Sequence, residues 1–87
     1  MLYFLFDVTV EIENSFITTT SGYEILKAYP DGISEELIDA DIEKTMNELM
    51  EAELDMFPFG DNPEPHATLV CYPITEEVFL NKIAGNI

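Results

Sequence analysis

Residues 2–13 of this chain read Leu2-Tyr3-Phe4-Leu5-Phe6-Asp7-Val8-Thr9-Val10-Glu11-Ile12-Glu13. Leu2, Phe4, Phe6, Val8, Val10 and Ile12 fall on one side of a two-residue repeat, and Tyr3, Leu5, Asp7, Thr9, Glu11 and Glu13 on the other. A period of two, rich in β-branched and aromatic side chains, predicts a strand over 2–13. Its first half is apolar on both sides, which asks for cover on both faces. Its second half turns Asp7, Glu11 and Glu13 toward solvent.

Reading forward, Asn14-Ser15 is a turn, and Phe16 to Thr20 is β-prone enough for a short return strand. Ser21-Gly22-Tyr23-Glu24 has the spacing of a capping box, in which serine and glutamate satisfy each other's backbone donors. That spacing favours a short helix over 22–29, with a strand as the alternative, and Pro30-Asp31-Gly32 stops either one.

The clearest helix runs over 34–55. Ser34 suits the N-cap, and Glu35 and Glu36 sit in a first turn where the helix dipole favours them. At about 100° per residue, Ile38, Ile42, Met46, Leu49, Met50 and Met56 gather on one face. Glu36, Asp41, Glu43, Glu48, Glu51 and Asp55 spread over the other, interrupted by Lys44. Residues 57–65, with three prolines and a glycine, form a loop that Phe57 and Phe59 anchor to the core. His66 to Tyr72 alternates as a strand that Pro73 ends, and Thr75 caps a short helix over 76–84 ahead of the tail Gly85-Asn86-Ile87. The elements assemble as a single α+β domain of two layers. An antiparallel sheet of two or three strands (2–13, 66–72 and possibly 16–20) carries the long helix across one face.

The 87 residues lie near the lower limit for a self-sufficient core. Leu, Ile, Val and Phe nevertheless supply 27 of them. That is well above the roughly 20% below which a highly charged chain stays disordered. Eighteen acids face three lysines and no arginine, for a formal charge of −15. This exceeds the magnitude of about 2–8 that solubility alone asks of a small domain. Direct binding to nucleic acid or to an anionic membrane is therefore not expected, because both need basic side chains. The apolar start lacks a basic leader and breaks at Asp7, so neither a secretion signal nor a membrane span fits. A single cysteine, Cys71, suits a reducing compartment such as the cytoplasm.

No catalytic pattern emerges. His66 and Cys71, five residues apart on one strand, project to opposite faces and cannot act as a pair. Cys71 reads as a small core residue and His66 as a surface or loop-tying group. Asp31-Gly32 and Gly60-Asp61-Asn62 lack the ligand spacing of a calcium loop. No phosphate cradle, zinc spacing or singled-out carboxylate pair is present, so neither enzyme activity nor a metal or cofactor is expected.

What stands out is the segment from Asp31 to Asp55, with ten acids and one lysine. Few of those acids have a lysine four residues away to stabilise the helix. In size, charge and this acidic stretch the chain resembles the small acidic DNA mimics encoded by phages, the anti-restriction and anti-CRISPR proteins. Immunity proteins and antitoxins that neutralise nucleases are similar in kind. The resemblance implies a stoichiometric inhibitor without cofactor, whose partner is a positively charged nucleic-acid-binding protein or complex. Glu36, Asp41, Glu43, Glu48, Glu51 and Asp55 would make the contacts, seconded by Asp7, Glu11 and Glu13. The alternative is a non-catalytic interaction module, or a homodimer, that uses apolar anchors. The candidates are Tyr3, Phe16, Tyr23, Tyr29, Phe57, Phe59 and Tyr72, which are too many for so small a core.

Overall fold

A computed structural model describes residues 1–58 and 62–85. Phe59, Gly60 and Asp61, and the tail residues Asn86 and Ile87, lie outside the described residues. The order is β1 (Leu2–Glu13), β2 (Thr18–Tyr29), α1 (Glu35–Met56), β3 (Glu64–Ile74) and α2 (Glu76–Ile83). The strands form one antiparallel sheet in the order β2-β1-β3. The chain is a small α+β fold, in which the first strand, β1, and the last, β3, lie side by side.

β1 is central, and large apolar residues alternate along it from Leu2 to Ile12. Phe6, Val8, Val10 and Ile12 are essentially without solvent exposure. Over them α1 lays Ile38, Ile42, Leu49, Met50 and Leu54, with Tyr23 and Ile25 added from β2 and Ala67, Leu69 and Cys71 from β3. Burial of this strip and of the side chains packed on it supplies the hydrophobic driving force of the domain. Met56, expected on the same helix face, is instead exposed at the end of α1, and Leu54 packs in its stead.

The helix expected over 22–29 is not formed, nor is the capping box. Residues 18–29 are a strand that pairs with all of β1, from Glu13 opposite Thr18 to Leu2 opposite Tyr29. Eight residues with a glycine near the start make a marginal helix. The competing hairpin closes through a tight turn and then gains a ladder along an existing strand. The turn is built on Asn14, whose Oδ1 accepts from the N–H groups of Phe16 (2.8 Å) and Ile17 (3.0 Å). Phe16, read as part of the return strand, sits at the hairpin tip and is 93% exposed.

β3 is longer than the 66–72 expected and contains both Pro65 and Pro73. The alternation of an antiparallel ladder explains why. Asn14 N–H donates to the Ile17 carbonyl, so even-numbered residues of β1 bond to β2 and odd-numbered ones to β3. Pro65 and Pro73 stand opposite Ile12 and Phe4. Their nitrogens therefore face away from β1, where no ladder bond is lost.

Both helices begin at the caps expected of them. Ser34 Oγ accepts from Leu37 N–H at 3.3 Å, and Thr75 Oγ1 from Val78 N–H at 3.2 Å. Before α1 the chain turns at Pro30–Ile33, with Gly32 at φ 82°, a left-handed conformation that suits glycine. α2 packs on the sheet face opposite α1, where the Phe79 ring meets Tyr3 at 4.6 Å between centroids. It supplies the cover that the doubly apolar start of β1 required and makes a partial third layer. No helix among the described residues is long and apolar enough to cross a membrane.

Candidate interaction surface

The acids divide into two groups by the geometry of the elements that carry them. α1 buries the side that runs through Ile38, Ile42, Thr45 and Leu49, so the opposite ridge faces solvent. Glu36, Glu43, Glu48, Glu51 and Asp55 are all exposed on that ridge, and Glu35 and Asp39 are exposed beside it. At ~1.5 Å per residue, Glu35 to Asp55 spans about 30 Å. Those seven carboxylates come roughly every 4–5 Å along the axis, somewhat sparser than the 3.4 Å phosphate spacing of one DNA strand. The cation within the ridge is Lys44, held 3.8 Å from Glu48 one turn away. That pair is exposed and contributes little to stability.

Asp7, Glu11 and Glu13 lie on the other face of the sheet. Asp7 and Glu11 are exposed and Glu13 half-exposed, at the end that α2 leaves open. They are neighbours of Glu24, Glu64 and His66 through the strand pairings Asp7↔Glu24, Glu11↔His66 and Glu13↔Glu64. Glu13, Glu64 and His66 bring possible ligand atoms within 4.8 Å of one another at the surface, with His66 Nε2 3.4 Å from Glu13 Oε1. The strand acids therefore form a patch of their own, with the sheet between them and the helix ridge.

Asp41 belongs to neither patch. Helical periodicity places it among the solvent-facing acids, but it is half-buried and turned toward β2. The Tyr29 hydroxyl donates to Asp41 Oδ2 at 2.5 Å, and Lys27 Nζ lies 3.2 Å from the same oxygen. Lys27 also stands over the Phe6 ring, 5.8 Å from its centroid. The Tyr29 hydrogen bond, helped by Lys27, holds the Asp41 carboxyl below its ordinary range. Burial, followed by the bond to Asp41, pushes the Tyr29 phenol well up. A helical wheel carries the signal for this. Asp41 precedes the buried Thr45 by one turn, and Thr45 Oγ1 donates to its carbonyl at 2.7 Å.

Sequence reasoning passed over two further acids that the fold uses. Glu53 accepts a hydrogen bond from the Tyr23 hydroxyl, which ties the end of α1 to β2. Glu24, once assigned to a capping box, lies 3.8 Å from Lys82 of α2. All three lysines thus face an acid, and two of the pairs fasten a helix to the sheet. Among the expected aromatic anchors, Tyr3, Tyr23 and Tyr29 are engaged within the domain, whereas Phe16 and Tyr72 are exposed.

Asp41→Ala is expected to cost about 2–3 kcal/mol, because it strands a buried hydroxyl and a half-buried ammonium. The lowered Asp41 pKa stabilises the fold above the unfolded value near 3.9 and ceases to do so as pH falls through the folded value. The raised Tyr29 pKa stabilises it below about 10 and fails as pH rises further. Urea midpoints across pH should show the wild-type advantage over Asp41→Ala complete between about pH 4 and 10. It should fade on the acid side, and an advantage independent of pH would refute the assignment.

Comparison with known proteins gives no match: no family model fits the sequence, and no curated protein or solved structure is significantly similar to it.

Proposed function

We propose that this protein is a stoichiometric, non-catalytic inhibitor that offers its acidic α1 ridge to a positively charged nucleic-acid-binding protein, in the manner of phage counter-defence proteins. The observation that carries the reading is the ridge itself. A rigid helix, packed on a sheet along one side, presents Glu36, Glu43, Glu48, Glu51 and Asp55 to solvent with one lysine among them. Carboxylates fixed on a scaffold lose little freedom when they meet lysines and arginines, so the partner's own basic groove supplies most of the attraction.

Two features of the fold support it. Asp41 and Glu53 are spent on holding α1 to β2, and the other seven α1 acids are exposed. The second patch, around Asp7, Glu11 and Glu13, lies on the far face, so a single flat groove engages one patch at a time. The ridge is the primary contact in this reading, and the strand patch serves to repel nucleic acid and to raise the long-range field. The site of action is the cytoplasm, where such partners work.

Capture from a cell lysate tests the proposal. Immobilised protein at low salt should retain a basic nucleic-acid-binding protein, identified by mass spectrometry and released as NaCl is raised. Recovery of no such protein would remove the basis of the reading.

A further inference from the structure

The two edges of the sheet are built differently. β3 carries Pro65 and Pro73 at outward-facing positions, so its free edge is closed at both ends. β2 has no proline, runs twelve residues in unbroken register with β1, and has no strand beyond it among the described residues. Its lysine, the residue type that most often guards an edge, is engaged above the sheet by Asp41. The ladder alternation that aims odd-numbered residues of β2 at β1 aims the N–H and C=O groups of Thr18, Thr20, Gly22, Glu24, Leu26 and Ala28 outward.

β2 is also the least acidic long element. It holds one acid, Glu24, and one base, Lys27, in a chain of formal charge −15. From these observations we infer that β2 pairs antiparallel with β2 of a second copy, which joins two three-stranded sheets into one of six. A two-fold axis through Tyr23, normal to the sheet, pairs the strand along its length. Thr18 then opposes Ala28, Thr20 opposes Leu26, and Gly22 opposes Glu24. Lys27 opposes Thr19 and Glu24 opposes Gly22, so no like charges stand directly opposite, and the two Glu24 carboxylates, diagonal to each other beside the axis, each have Lys82 of their own α2 at 3.8 Å. Because the axis is normal to the sheet, both α1 ridges lie on the same face, and the acidic array of one copy is continued by that of the other.

The pairing has a salt dependence opposite to that expected for the basic partner. Two molecules of charge −15 repel at long range, so screening strengthens their union. The same screening weakens a complex of opposite charges. The two inferences therefore stand or fall on separate results.

In sedimentation equilibrium of the full chain, from micromolar to millimolar, the mass should rise from the 9.9 kDa of one chain toward twice that value, with a dissociation constant at least about tenfold lower in high than in low NaCl. Gly22→Pro removes one outward N–H and leaves the β1 ladder intact, and should weaken the dimer by about tenfold or more. Amide exchange on the wild type gives a readout that needs no variant. In dilute monomer the amides of Thr20, Gly22, Glu24, Leu26 and Ala28 should exchange quickly, while those of Ser21, Tyr23, Ile25 and Lys27 are protected. At high concentration both sets should be slow. A single-chain mass under all conditions, with the alternating pattern unchanged, would overturn the inference and leave the edge to a strand of another protein.

Discussion

Phe6→Ala is expected to leave the domain largely unfolded. Phe6 has no solvent exposure, lies at the middle of the central strand, and pairs with Ile25 on one side and Cys71 on the other. It also carries the Lys27 ammonium over its ring. Truncating a buried phenylalanine costs about 3–5 kcal/mol, because apolar area returns to water and a cavity remains. A domain of this size has of order 4–13 kcal/mol in total, at roughly 0.05–0.15 kcal/mol per residue. Charge repulsion places this chain toward the lower end. Far-UV circular dichroism with urea titration would show either loss of structure in buffer or a midpoint near zero urea. A stability change below about 1 kcal/mol would mean that the β1 strip is not the core.

The second large effect runs in the opposite direction for stability and against binding. Four ridge acids, Glu43, Glu48, Glu51 and Asp55, changed together to Gln, Gln, Gln and Asn, should raise the melting temperature. Glu36 is left in place because it sits in the first turn, where the helix dipole favours a negative charge. Asp55 near the C-terminal end is opposed by the same dipole. Loss of the exposed Lys44–Glu48 pair subtracts at most a few tenths of a kcal/mol. The wild type should gain more from added NaCl than the variant does, since salt screens the repulsion that the variant lacks. The same four changes should slow association with the captured partner by about 10- to 1,000-fold. An unaltered on-rate would shift the contact to the exposed apolar groups, such as Phe16.

The parts of this fold that were legible in the sequence are those where local and tertiary forces agree. β1 declares itself because its period of two is also its burial pattern. α1 does so because a cap, an acidic first turn and an apolar face coincide. β2 was misread because its own residues are nearly indifferent between helix and strand. Its state is decided by β1, a neighbour that offers twelve places to pair. The ends of β3 were hidden by Pro65 and Pro73, which forbid a central strand but not an edge, and edge status is a property of the sheet.

The candidate surface divides along the same line. Glu36, Glu43, Glu48, Glu51 and Asp55 follow from helical periodicity alone, and the fold places them outward. Asp41 required knowing that Tyr29 and Lys27 on β2 reach up beside α1, which depends on the strand that was read as a helix. The separation of Asp7, Glu11 and Glu13 from the ridge follows from α1 lying on the even-numbered face of β1. The sequence pattern implied that arrangement, though charge counting conceals it.

The central claim is that the ridge occupies a site built for nucleic acid. An equilibrium competition with the captured partner measures this most directly, using labelled nucleic acid bound to that partner and the unlabelled protein as titrant. Full displacement is expected at one ridge per binding site, and it should be lost in the four-acid variant. A ternary complex, with the nucleic acid still bound at saturating protein, would contradict it.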